Sequence, residues 1–124
     1  MIIAVDFDGT IVEHKFPEIG GAFGGAMETL FELQNAGHKI IIWTCRCGAP
    51  LADMVRWLIR RGFYADAINS NVAPVQGFAV PKILADIYID DRNFGGFPGW
   101  QRVREELLPA TQEPDMDSRE GGRP

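Results

Sequence analysis

The chain opens Met1-Ile2-Ile3-Ala4-Val5-Asp6-Phe7-Asp8-Gly9-Thr10, an apolar run that leads straight into two carboxylates one residue apart. Ile2 to Val5 shows no polar alternation, the pattern of a strand buried on both faces of a parallel sheet. Such a strand has no place for unpaired charge. It must end near Asp6, and the two acids are either ordinary turn residues or groups delivered to a site that needs paired negative charge. In an extended chain Asp6 and Asp8 point one way and Phe7 the other. Gly9 then lets the backbone turn sharply behind them.

The same buried-strand pattern returns in His38–Thr44, around Ala67-Ile68, and in Ala85–Asp90. Helical spacing fills the intervals. Ala26, Met27, Leu30, Phe31 and Leu33 predict a helix over Gly25–Ala36, stopped by Gly37. Leu51, Val55, Leu58 and Ile59 predict a second from Pro50 to Gly62, with Asp53 near its start and Arg60 and Arg61 at its end complementing the helix dipole. Trp100, Val103, Leu107 and Leu108 predict a third over Pro98–Leu108. Thr10 to Phe23 reads as a short irregular excursion, and the glycine-rich Gly20–Gly25 as a flap or hinge, since it follows no strand and lacks the spacing of a nucleotide loop. One helical turn is expected to lead to Pro81. The folded domain spans 1–108, and the polar, Pro- and Gly-rich tail 109–124 is expected to be disordered.

Strands alternating with helices imply right-handed crossovers and an α/β fold of three layers, Rossmann-like, around a central, mostly parallel sheet. Ligands in such sheets gather beyond the carboxyl ends of the strands. Asp6 and Asp8, Thr44, and Asp90 and Asp91 therefore share one rim.

A net charge of −5 argues against a broad electrostatic grip on nucleic acid. No stretch has the length and apolarity of a membrane span, and Asp6 cuts the opening apolar run short of a signal-peptide core. Cys45 and Cys47 are too close in sequence to staple distant segments, and no second Cys or His pair completes a zinc site. A cytoplasmic protein is expected.

Four carboxylates on one rim repel one another unless a cation sits among them. Hard oxygen donors without histidine favour Mg²⁺. A magnesium ion, the Thr44 hydroxyl and the Lys82 ammonium together suit a phosphoryl group, whose charge is spread over three oxygens. Asp6 is the candidate nucleophile, Asp8 the candidate acid and base, and Arg46 a candidate bidentate phosphate clamp.

The order "DFDGT", "IIIWT", Lys82, "IYIDD" resembles the four motifs of the haloacid dehalogenase-like (HAD) phosphohydrolase superfamily over residues 2 to 91. The resemblance implies Asp6 as nucleophile, Asp8 as general acid/base, and Thr44 and Lys82 as phosphate-binding residues. It also implies a Mg²⁺ site made by Asp6, Asp90, Asp91 and the backbone carbonyl at Asp8. An acid at position 8 disfavours dehalogenation. The gaps Ile11–Gly25 and Asn69–Pro81 are too short for the family's cap domains, so the chain resembles the capless branch. A capless phosphoric monoester hydrolase has an open site. Its substrate is then a phosphate on a large molecule, a protein or a nucleic-acid end, or a second copy of the chain supplies the lid. Arg92 and Asn93 beside the acid pair resemble some polynucleotide 3′-phosphatases of the superfamily. Two alternatives stand beside this reading: a catalytically weak member that only binds phosphate, and a phosphorelay receiver domain. The receiver is disfavoured because its phosphorylated Asp belongs after the third strand, where this chain has Asn69.

Overall fold

The computed structural model describes residues 1–73 and 82–109. Four strands form one parallel sheet: β1 (Ile2–Val5), β2 (Lys39–Ile42), β3 (Ala67–Ile68) and β4 (Ile87–Ile89), in the spatial order β3-β2-β1-β4. Three helices complete the described chain: α1 (Ala26–Asn35), α2 (Gly48–Arg60) and α3 (Trp100–Leu107). Ile2 to Val5 pair with Lys39 to Ile42, and Ile3 to Val5 with Ile87 to Ile89, so β1 is central. That register brings the ends of β1 and β4 level, with Asp6 N–H donating to the Ile89 carbonyl at 2.9 Å.

The helices follow from the apolar stripes, with small shifts at their ends. Helix α2 begins two residues before Pro50, which then occupies its third position, where a missing N–H costs nothing because first-turn amides have no intrahelical acceptor. Helix α1 closes through Gly37, at φ 97°, a conformation open to glycine.

Of the three layers expected, the described residues show the sheet and one helical layer. Ile3, Val5, Ile40, Ile42 and Ile89 form one core with Leu30 and Leu33 of α1, Met54 and Leu58 of α2, and Trp100 and Val103 of α3. Ala4 and Ile41, on the other face, meet Ile83, flanked by Val72, Ala85 and Tyr88. Among the described residues no helix covers that second face. The strand order supplies the reason: β1 to β2 to β3 steps in one direction, and right-handed crossovers taken in one direction leave their helices on one side. The helical turn expected before Pro81 and the tail beyond 109 lie outside the described residues.

Thr10–Phe23 is more ordered than expected. Val12 bridges Ala22 antiparallel, Glu13 N–H donates to the Gly21 carbonyl, and Phe23 N–H to Ile11, so the excursion is a small hairpin flap. Gly20 is required there, because a Cβ would lie 2.3 Å from the Glu13 carbonyl oxygen. No described helix is long and apolar enough to cross a membrane.

Candidate active site

Beyond the carboxyl ends of β1, β2 and β4 lies a cleft of about 410 Å³ lined by Asp6, Asp8, Thr44, Arg46, Asp90 and Asp91, with His14, Phe16, Cys45 and Arg92 at its wall. Six of the seven residues singled out in the sequence converge there. Phe7, between the two acids, is fully buried and meets Trp57 edge-on at 5.5 Å. The turn that follows is closed by Ile11 N–H donating to the Phe7 carbonyl at 2.9 Å.

Carboxylate oxygens of Asp6, Asp90 and Asp91 lie within 4.8 Å of one another. Thr10 ties them together: its hydroxyl donates to Asp6 Oδ2 at 3.1 Å and accepts the Asp91 N–H at 3.0 Å. Trp100 fixes Thr10 in turn, its indole N–H donating to the Thr10 carbonyl at 2.7 Å. Gly9, at φ 88°, sits where a Cβ would come within 2.3 Å of Asp91 Oδ2, so the glycine of the D-x-D-G-T run makes room for the third acid. Burial first, then the Asp90 charge, push the Asp6 carboxyl from the ordinary 3.8 up to about 7, against a lowering bond from Thr10. Three converging carboxylate oxygens, one of them on an Asp6 carboxyl that burial disfavours as an anion, are the donor set that a small hard cation such as Mg²⁺ takes.

Asp8 stands apart from this triad. Arg46 Nε donates to Asp8 Oδ2 and its Nη2 to Oδ1, both at 2.7 Å, a bidentate pair. The Asp8 side chain thus lies outside the three-carboxylate cluster, and the part in Mg²⁺ binding that the resemblance implies for Asp8 is that of its backbone carbonyl. Arg46 is itself only 2 % exposed and lies against the rings of Phe7 and Phe16. Its remaining N–H groups donate to the carbonyls of Pro17 and Pro50 from Nη1 and of Glu18 from Nη2. A guanidinium has five N–H donors, and here each has an acceptor within the protein. The reading of Arg46 as a phosphate clamp is therefore corrected: no donor is left over for a phosphate.

Thr44 is placed by Asn69, which follows β3. Asn69 Oδ1 accepts the Thr44 N–H at 2.8 Å and its Nδ2 donates to the Thr44 carbonyl at 2.9 Å. The Thr44 hydroxyl accepts the Arg46 N–H at 3.1 Å and keeps its own proton to donate into the cleft. Asn69 pays for this with φ 53°, a strained region for a residue with a side chain.

Lys82 is not brought to the cleft. It is exposed, with its ammonium 5.7 Å from the centre of the Tyr88 ring, and Tyr88 packs with the cluster on the second face of the sheet. Its assignment to phosphate binding is corrected on that ground. Sequence reasoning missed Asn69, His14 and Phe16. Asn69 carried one legible signal, its position at the end of a strand on the same rim; the flap residues carried none, because the hairpin rests on a few backbone bonds.

A parallel α/β sheet with an acid-lined cleft at its carboxyl ends defines the class of protein. Within that class the chain is similar to a conserved protein from Bacteroides thetaiotaomicron whose structure is solved, with 45 % identity, a TM-score of 0.80, and coverage of 86 % of this chain and 88 % of that one. The chain belongs to the same family as that protein. No protein-family model matches it, and no curated protein does.

Proposed function

We propose that the chain is a Mg²⁺-dependent phosphatase of the capless HAD-like kind, hydrolysing a phosphomonoester through a phosphoryl group carried on Asp6. The observation that carries this reading is the convergence of Asp6, Asp90 and Asp91 beside Asp8 at the ends of β1 and β4. The ordered motifs of the sequence support it.

Asp6, Asp90 and Asp91 would hold the ion. When bound, Mg²⁺ supplies positive charge beside the phosphoryl oxygens and favours the ionised form of Asp6. A carboxylate oxygen of Asp6 attacks phosphorus, the bond to the ester oxygen breaks, and Asp8, protonated from solvent at a lone pair that Arg46 leaves open, gives that oxygen a proton. Water then attacks the Asp6 phosphate, returns a proton to Asp8, and releases inorganic phosphate with Asp6 restored. Thr44 donates its hydroxyl proton to a phosphoryl oxygen throughout.

The insertion between β1 and α1 is only a hairpin flap, so the cleft stays open to large esters. A protein or nucleic-acid phosphate is the substrate class this favours, with a lid from a second copy as the other route to closure. Purified protein is expected to release phosphate from an aryl phosphate with Mg²⁺ and to stop on adding EDTA. Asp6→Asn should lower turnover by about 10³-fold or more; undiminished turnover in that variant would sink the mechanism. The position of Lys82 favours a second reading, a phosphate-binding member with little turnover. Retention of inorganic phosphate with no release from any ester in a panel of proteins, nucleic-acid ends, nucleotides and sugar phosphates would select it.

A further inference from the structure

Arg46 is the most heavily bonded side chain at the cleft, and its partners come from three separate places. Two of its bonds go to Asp8, two to the flap tip at Pro17 and Glu18, and one to Pro50 in the first turn of α2. Phe16 of the flap covers its guanidinium from 5.1 Å and Phe7 of the core from 5.4 Å. Its own backbone N–H holds the Thr44 hydroxyl oxygen. None of these bonds goes to a strand of the sheet; the pattern matches a group whose task is to keep other groups in place.

Resting on the phosphatase reading above, we infer that Arg46 is the positioning residue of the site. It orients the Asp8 carboxylate and pins the flap at the wall of the cleft, so that one side chain sets both.

Without Arg46 the Asp8 carboxylate would be free to turn. Asp8 sits two residues from Asp6 on a turn, and a free carboxylate there has several rotamers, including ones that lean toward the triad. The planar fork of arginine admits one orientation of a facing carboxylate. Each Asp8 oxygen keeps a further lone pair, so Asp8 remains able to take a proton from water while Arg46 holds it. The flap carbonyls share the same guanidinium. An opened flap gives up two acceptors and the Phe16 cover, and the hold on Asp8 loosens with it.

Lysine at this position keeps the charge but has three donors and no fork. Arg46→Lys should lower kcat on an aryl phosphate by about tenfold to a hundredfold, the scale of misplaced acid–base catalysis, with KM changed by less than about threefold. Because the effect is transmitted through Asp8, the same substitution should cost little when made in Asp8→Asn protein. Losses that multiply in the double variant, or a raised KM with kcat unchanged, would overturn the inference and return Arg46 to direct substrate binding. The flap half is read without any turnover. Trypsin cleavage after Lys15, at the flap tip, should be about tenfold faster in Arg46→Lys than in the parent when cleavage tracks the open population, for roughly 1.4 kcal/mol of lost hydrogen bonding. Equal cleavage rates would overturn it. If the parent protein releases no phosphate from any ester, the phosphatase reading falls, and the trypsin comparison alone decides whether Arg46 holds the flap.

Discussion

Asp6 and Asp8 stand two residues apart at the end of the same strand, yet they live in opposite electrostatic surroundings. Asp6 faces Asp90 and Asp91 with no described cation beside it, and its carboxyl is pushed up to about 7. Asp8 faces a buried arginine whose two closest bonds are both 2.7 Å. One half of the cleft is short of positive charge and the other carries its own. The difference separates a group that waits for an ion from a group that is held ready, and it does so through a single intervening phenylalanine that anchors the turn in the core.

The two halves should respond to substitution with opposite sign. Arg46→Ala strands the Asp8 carboxylate in a nearly closed environment and removes the packing on Phe7 and Phe16. Loss of one partner from such a pair costs about 3–5 kcal/mol, read as a lower urea midpoint. A loss under about 1 kcal/mol would mean that solvent replaces the arginine and that the two halves are less different than the geometry indicates.

The next largest effect belongs to the triad. With a dissociation constant of about 1 mM, 10 mM Mg²⁺ should stabilise the protein by roughly 1.4 kcal/mol, a rise of several degrees in Tm. Asp90→Asn should abolish that rise, whereas Asp8→Asn should leave most of it. Equal loss in both variants would merge the two halves into one metal site.

The smallest effect is the response to pH without metal. Asp6 holds a proton in the folded chain that the unfolded chain releases above 3.8, so stability falls as pH rises from about 4 to about 7 and levels off beyond. Screening in the open cleft reduces the contribution to about 1 kcal/mol. Asp6→Asn removes this slope and is expected to be the more stable protein at pH 8 in EDTA, measured by thermal unfolding at several pH values. A steeper slope in the variant would place the strained charge elsewhere.

Much of the fold was legible because its signals are local. The Ile40-Ile41-Ile42 run, the Leu30 and Leu33 stripe, and the Pro50 and Gly62 boundaries each report on their own neighbours, and β2, α1 and α2 fell where those signals lie. The flap was not legible, since its bridge between Val12 and Ala22 depends on a pairing that no periodicity announces. The placing of α1, α2 and α3 on one face was not legible for a similar reason, since which face a helix covers is a matter of topology.

Arg46 marks the boundary most clearly. Its proximity to Thr44 in sequence suggested a hand reaching for substrate, while the folded chain brings Asp8 from 38 residues away, and Pro17 and Glu18 from the flap, to occupy all of its donors. Lys82 erred in the other direction, correct in order along the chain and absent from the cleft. The sequence alone determined which strands carry acids at their carboxyl ends, because strand period and strand termination are properties of a few consecutive residues. Which of those acids share a site, and which is paired off by a cation of the protein's own, only the tertiary structure decided, because a charge takes its partners from whatever the fold sets within a few ångströms.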